Sequence, residues 1–264
     1  MDVRFIAGVL IAAAIVTVAH RRRSLSYDGA FAAFVLGAIC SAAGWGWAAL
    51  LIGFFVSGTL LSRYKADRKS LRTAAVVEKG GNRDAWQVLA NGGVFTAAAA
   101  MSILHPSSVW MILGAGAIGA AAADTWATEI GVLAAATPRS IITGQPVATG
   151  QSGGVTVVGT IAGALGAMTM SLIALLAGWS NSAVVAAIVG GIGGCTLDSI
   201  LGGTLQTRRW CERCNTVTER AVHDCGTTTQ VAGGLTWLDN DAVNAISSAF
   251  GALLGFLWVF ASRS

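Results

Sequence analysis

The sequence predicts an all-α polytopic membrane protein with about eight transmembrane helices. Three observations carry that prediction. Of 264 residues, 54% are hydrophobic and only 11% are charged, whereas soluble domains carry about 25% charged residues. Apolar stretches of roughly 17–25 residues, the length that crosses a bilayer as a helix, recur along the chain. Threaded alternately with Arg21, Arg22 and Arg23 in the cytoplasm, they leave 15 of the 17 basic residues on one side and only Arg4 and Arg263 on the other. That asymmetry is the positive-inside pattern.

The helices are expected at roughly 3–20, 28–43, 45–62, 87–104, 108–133, 155–178, 183–205 and 242–261, within a single domain of residues 1–264. The first lacks a basic start and precedes its arginines, so it does not read as a cleaved signal peptide. Only "SAAGWGW" separates the second from the third, and a re-entrant pair is the alternative there. The segment 62–91 begins with helically spaced basic residues and continues as a Gly-broken loop. Arg83, Lys79 and Lys65 in it are candidate cations for phosphate oxygens. Arg68, Lys69 and Arg72 read as a solvated face on anionic lipid. Both termini fall outside, and every long loop falls in the cytoplasm of an inner-membrane protein.

The polar residues gather on that side. Asp124 and Glu129 lie in the inner half of the fifth helix and Asp198 in that of the seventh. Asn91 opens the fourth helix, and "WLDNDAVN" opens the eighth with Asp239, Asn240, Asp241 and Asn244. Ionisable residues inside membrane helices are costly and usually face an interior cavity. At 100° per residue, Asp124 and Glu129 stand about 140° apart, so one straight helix does not aim both at one point. Asp198 shares its stripe with Gly190, Gly194 and Gly202, and small residues at that spacing let helices approach closely. The segments "GAIGAAAADT" (116–125) and "GGIGGCTLDS" (190–199) match without a gap. Parallel duplicated helical hairpins would make Asp124 and Asp198 counterparts across one site.

Two facing aspartates suit Mg²⁺, which takes one or two carboxylates together with substrate phosphates. Hydrogen bonding of each Asp to a neighbouring backbone group or hydroxyl is the plainer alternative. The loop "TGQPVATGQSGGVTVVG" (143–159) carries Thr149, Gly150, Ser152, Gly153 and Gly154. It is expected to open a helix whose N–H groups would grip phosphate, although it is no P-loop. Cys40 and Cys195 read as packing residues. The cytoplasmic loop 206–240 holds Cys211, Cys214, His223 and Cys225, a candidate tetrahedral Cys₃His structural zinc site. A redox pair or packed thiols are the alternatives.

The motifs "RDAWQVLANGGV", "ADTWATEIG", "SGGVT", Asp198-Ser199, the Cys/His loop with its "TE", and "WLDNDAVN" follow one another between about residues 60 and 250. Together they resemble the integral-membrane family known as domain of unknown function 92, which includes transmembrane protein 19 and plant phytyl-phosphate kinase. The resemblance implies a membrane kinase that phosphorylates an isoprenoid (phytyl or polyprenyl) monophosphate to the diphosphate with CTP or ATP. In that scheme Asp124 and Asp198 hold Mg²⁺, Glu129 orients metal or acceptor, and Arg83 and the 149–154 loop grip phosphate oxygens. Asn91, Asp239, Asn240, Asp241 and Asn244 complete the nucleotide rim. The plant kinase branch departs from the Trp-Gln-Val-Leu-Ala-Asn stretch and the cysteine loop, so the reaction class carries over further than phytyl does. Expected partners are the lipid phosphate, the nucleotide and membrane lipids, with no nucleic acid; a homo-oligomer stays open. A transporter or scramblase, or a lipid nucleotidyltransferase, are the competing readings.

Overall fold

A computed structural model describes residues 3–73, 76 and 82–262, with side chains from Phe5 onward. Lys79, Arg263 and the side chain of Arg4 lie outside the described residues. The helices are α1 (Val3–Arg21), α2 (Tyr27–Ala43), α3 (Trp45–Arg63), α4 (Ala66–Thr73), α5 (Ala85–Leu104), α6 (Ser108–Gly131), α7 (Val157–Leu176), α8 (Asn181–Thr204) and α9 (Asn240–Ala261). Six of them, α3 and α5 to α9, are long and apolar enough to cross a membrane. The apolar parts of α1 and α2, Phe5–Arg21 and Tyr27–Ala43, are shorter. With α4 added, these are the predicted segments. Gly44 makes the break between α2 and α3 a true one, because its φ of +133° is a conformation that L side chains rarely adopt.

Helix α6 is the axis of the bundle. Every residue from Gly114 to Ala123 on it is buried, sheathed by α5, α7, α8 and α9. Membrane helices gain nothing from exchanging lipid for one another's leucines, so close backbone approach supplies the packing. The approach here needs glycine. A Cβ on Gly190 would lie 2.2 Å from the Gly251 carbonyl oxygen of α9 and 2.7 Å from Gly116 Cα of α6, and one on Gly116 would lie 2.4 Å from the same carbonyl. One helical turn further, a Cβ on Gly194 would meet the Cβ of Ala120 at 2.4 Å. Both contacts keep the offset of 74 residues that relates "GAIGAAAADT" to "GGIGGCTLDS". Thus α6 and α8 run side by side in one register. At the far end of the bundle Trp47 packs against Phe95 and Trp179 at centroid distances of 5.1 and 4.8 Å, tying α3 to α5 and to the α7–α8 turn.

The basic end of the bundle carries all the remaining structure. Ser24 and Ser26 pair with the backbone of Arg83, and Asp28 accepts from Ala85 N. The loop between α6 and α7 contains a two-stranded ribbon, β1 (Arg139–Ser140) with β2 (Gly154–Val155). The 206–240 loop contains a three-stranded antiparallel sheet, β3 (Arg208–Cys211), β4 (Thr216–Thr218) and β5 (Gln230–Gly233), in the order β4-β3-β5. Thr207 N to Leu238 O and Leu235 N to Leu205 O close its base, and Glu219 N to Val76 O docks it on the segment after α4.

Candidate active site

The α6–α8 register continues from Gly116/Gly190 through Ala120/Gly194 to Asp124/Asp198, each pair one turn further toward the basic end. The two carboxyl groups consequently meet at hydrogen-bonding range. No basic side chain among the described residues pairs with either, and Asp198 Oδ2 is buried without a hydrogen-bond partner. Ser247 of α9 is buried beside Asp198, near enough to interact but not aligned as a full hydrogen bond. The thiol of Cys195, read from sequence as packing, sits within electrostatic reach of both acids. Two carboxylates this close repel one another strongly in a low-dielectric seam. A cation between them, or a proton, is what such a pair calls for.

A third carboxylate approaches the pair from outside the membrane helices. Glu219 follows β4, and its charge acts on Asp198. Ser152 Oγ donates to Glu219 Oε1, and Gln206 Nε2 donates to the same oxygen at 3.1 Å. No role follows for Glu219 from sequence alone, because it lies 21 residues past Asp198 on a loop. Its one signal is the "TE" between the cysteine and histidine halves of the loop.

The Gly-rich loop reaches the site by a different route from the expected one. It does not form the start of α7. Thr156 is the N-cap, accepting from Gly159 N at 3.0 Å, so the first amides of that helix are already engaged. Ser152 to Gly154 form a turn and the short strand β2, with Gly154 N donating to Gln151 O. Gly153 has φ +78°, and a Cβ there would lie 2.3 Å from Gly203 Cα. The loop is therefore pressed onto α8 just beyond Asp198, with Thr149 and Gly150 half-buried in the preceding turn.

The expected four-residue catalytic set is divided by α6. Glu129 forms an ion pair with Lys69 of α4 at 2.5 Å, on the face turned away from Asp198. Lys69 also donates to Leu61 O, so the solvated reading of this lysine is wrong: it is buried. Arg72 likewise is not simply solvated. Its Nη1 donates to Val132 O and Ala134 O at 2.8 and 2.7 Å, capping the end of α6 as a cation should. Arg68 and Lys65 are exposed.

Arg83 is on that second side too. Its guanidinium contacts Thr59 Oγ1 at 3.5 Å and lies 5.8 Å from the Phe55 ring centroid. Burial pushes its pKa down, opposed by the charge of Glu129. Arg83, Asn91 and Thr125 form the polar end of an otherwise apolar cleft between α1, α2, α3 and α5. Asn91 therefore lines this cleft and not the acid seam.

At the start of α9, Asp239 is the N-cap, its Oδ1 accepting from Ala242 N at 2.9 Å. Asn240 is exposed, Asp241 buried and Asn244 half-buried. Asp241, Asn244 and Ser248 share one helical face. In the sheet, ligand atoms of Cys211, Cys214, His223 and Cys225 all lie within 4.8 Å of one another. Hydrogen bonding with Thr227 and His223 holds the Cys225 thiol down, to about 6.

Comparison with known proteins bears on what this site belongs to. A family model described as "Integral membrane protein DUF92" matches residues 10–252. Protein PGR of Arabidopsis thaliana is 31% identical over 270 residues, covering 92% of each chain. The uncharacterized membrane protein MJ0933 of Methanocaldococcus jannaschii is 27% identical, over 97% of this chain and 94% of its own. The uncharacterized membrane protein sll0875 of Synechocystis is 25% identical, over 84% of this chain and 78% of its own. No solved structure matches.

Proposed function

The chain belongs to the DUF92 family of integral membrane proteins, and from that premise we propose that it is a kinase of isoprenoid monophosphates acting at the cytoplasmic face of the inner membrane. The observation that carries the reading is the meeting of Asp124 and Asp198 with no basic partner among the described residues, beside Glu219 and the Ser152–Gly153 turn. Hard divalent cations are held by such oxygen donors in company with substrate phosphates. Mg²⁺ bound there would neutralise charge on the transferring phosphoryl group.

The chain's own residues would do the rest. Ser152 and the amides of its turn border the nucleotide phosphates, and Glu219 completes the acidic rim. The cleft between α1, α2, α3 and α5 accepts the prenyl chain, and Arg83 and Asn91 at its polar end hold the acceptor phosphate. Thr125 lines that cleft and directly follows Asp124, so the acceptor phosphate has to pass around the cytoplasmic end of α6 to reach the nucleotide at the seam. An oxygen of the lipid monophosphate attacks the γ-phosphorus, the bond to the bridging β-phosphate oxygen breaks, and the nucleoside diphosphate leaves. The acceptor is already anionic, so positioning and charge neutralisation suffice without a strong general base. The excess of basic residues at this end supports a cytoplasmic orientation.

The test is purified protein with Mg²⁺, labelled CTP or ATP and a panel of prenyl monophosphates. Transfer of the γ-phosphoryl group to one of them, lost in Asp124→Asn, is expected. Pyrophosphate release in its place would make the protein a nucleotidyltransferase. No turnover with any lipid phosphate would overturn both enzyme readings and leave the transporter as the reading.

A further inference from the structure

The sheet β3–β5 lacks what normally holds a small domain together. Within residues 206–239 the buried positions are Gln206, Cys211, Thr218, His223, Thr229 and Leu238, so Cys211 and Leu238 are its only fully buried hydrophobic residues. Strands of three and four residues are marginal without an apolar face or a staple. The sheet nevertheless has to present Glu219 to the acid seam at a defined place.

The Cys/His tetrad lies where a staple would act. Cys211 ends β3, Cys214 lies in the turn to β4, and His223 and Cys225 lie in the turn before β5. Zinc bound tetrahedrally, with Zn–S near 2.3 Å and Zn–N near 2.0 Å, spaces its ligand atoms at about 3.5–3.8 Å. Cys211 Sγ and Cys225 Sγ are 3.6 Å apart, and His223 Nδ1 is 3.4 Å from Cys225 Sγ. The imidazole is buried and its Nε2 has no hydrogen-bond partner, which leaves Nδ1 as the side its surroundings serve. Soft thiolates with one imidazole select zinc over the hard cations that suit the acid seam.

We propose that Cys211, Cys214, His223 and Cys225 bind one structural zinc ion, and that this ion fixes the turn carrying Glu219 against the end of α8, where Ser152 and Gln206 donate to it. Glu219 lies between the two halves of the ligand set, five residues after Cys214 and four before His223. Closing the knuckle therefore closes the very segment that bears it. Four protein ligands leave no open position, so the ion has a structural part and no catalytic one. The metal half of the proposal stands whatever reaction the acid seam performs.

Metal analysis of the whole protein, purified in detergent without chelator, is expected to find about one zinc per chain. Cys214→Ser, at an exposed position, should lose at least nine-tenths of it, while Glu219→Gln should keep it. Cobalt exchanged into the site should show thiolate charge-transfer absorption and tetrahedral d–d bands. Hydrogen exchange in residues 216–222 should accelerate at least tenfold in Cys214→Ser, with the helices unaffected. Absence of zinc with no uptake on titration would overturn the site, whether the thiols are then found free or as a disulfide. Unchanged exchange after zinc loss would overturn the positioning of Glu219.

Discussion

Lys69 and Glu129, 60 residues apart, form an ion pair at 2.5 Å with side-chain exposures of 10% and 22%. The pair clamps the amphipathic α4 across the end of α6, beside the Arg72 contacts to Val132 and Ala134. Removing one partner strands the other charge away from water. Lys69→Met should therefore destabilise the protein by about 2 kcal/mol, less than for a fully buried pair because part of Glu129 remains exposed. Lys69→Met with Glu129→Leu should recover most of that loss in thermal melts. If the double variant is no more stable than the single one, the pair is not the clamp.

Asp124→Asn and Asp198→Asn should each lower phosphoryl transfer by about 10²-fold or more, the scale on which a single charge-stabilising group counts. Glu219→Gln should be milder and should raise the Mg²⁺ concentration needed for half-maximal rate. Single-turnover rates across a Mg²⁺ series separate these effects. Full activity in Asp198→Asn would break the assignment of the seam.

Arg83→Met should raise the KM for the prenyl phosphate about tenfold while leaving the KM for the nucleotide within about twofold, because Arg83 lies at the end of the apolar cleft. Arg83→Lys should not restore it, since a point charge does not reproduce the guanidinium fork. Equal effects on both substrates would place Arg83 in the nucleotide site instead.

Gly190→Ala tests the seam without touching a polar atom. Its Cβ would meet the Gly251 carbonyl oxygen at 2.2 Å and Gly116 Cα at 2.7 Å, so backbone has to move. A loss of about 2 kcal/mol or more is expected, together with reduced activity as Asp124 and Asp198 separate. A wild-type melting temperature would show that the helices do not approach this closely.

Asp239→Ala should cost about 1 kcal/mol through the lost N-cap, and Asp239→Ser should regain most of it. A rise in nucleotide KM that persists in Asp239→Ser would assign this aspartate to binding rather than to the start of α9.

How much of this was legible in the sequence depends on the range of the forces involved. Helix positions are local: an apolar run of spanning length next to basic residues is enough. The Asp124–Asp198 pairing was also readable, because glycine every fourth residue marks a helix–helix seam and the two segments match at a single offset. The 140° between Asp124 and Glu129 likewise announced that the two acids serve different neighbours. The identity of Glu129's neighbour was not readable. Lys69 looks like any solvated lysine until α4 folds back over α6.

The sequence by itself determined a bundle of apolar helices, the end at which its charges collect, and the stripe that holds two aspartates at matching depth. All of that follows from periodicity and the cost of charge in lipid. Only the tertiary structure decided that α6 parts Arg83 and Glu129 from the acid seam, that Thr156 rather than the glycine turn caps α7, and that Glu219 is held beside the end of α8 by Ser152 and Gln206. These outcomes depend on where loops of twenty or more residues return. Such a return is set by contacts between segments distant in the chain, and helical periodicity carries no record of them.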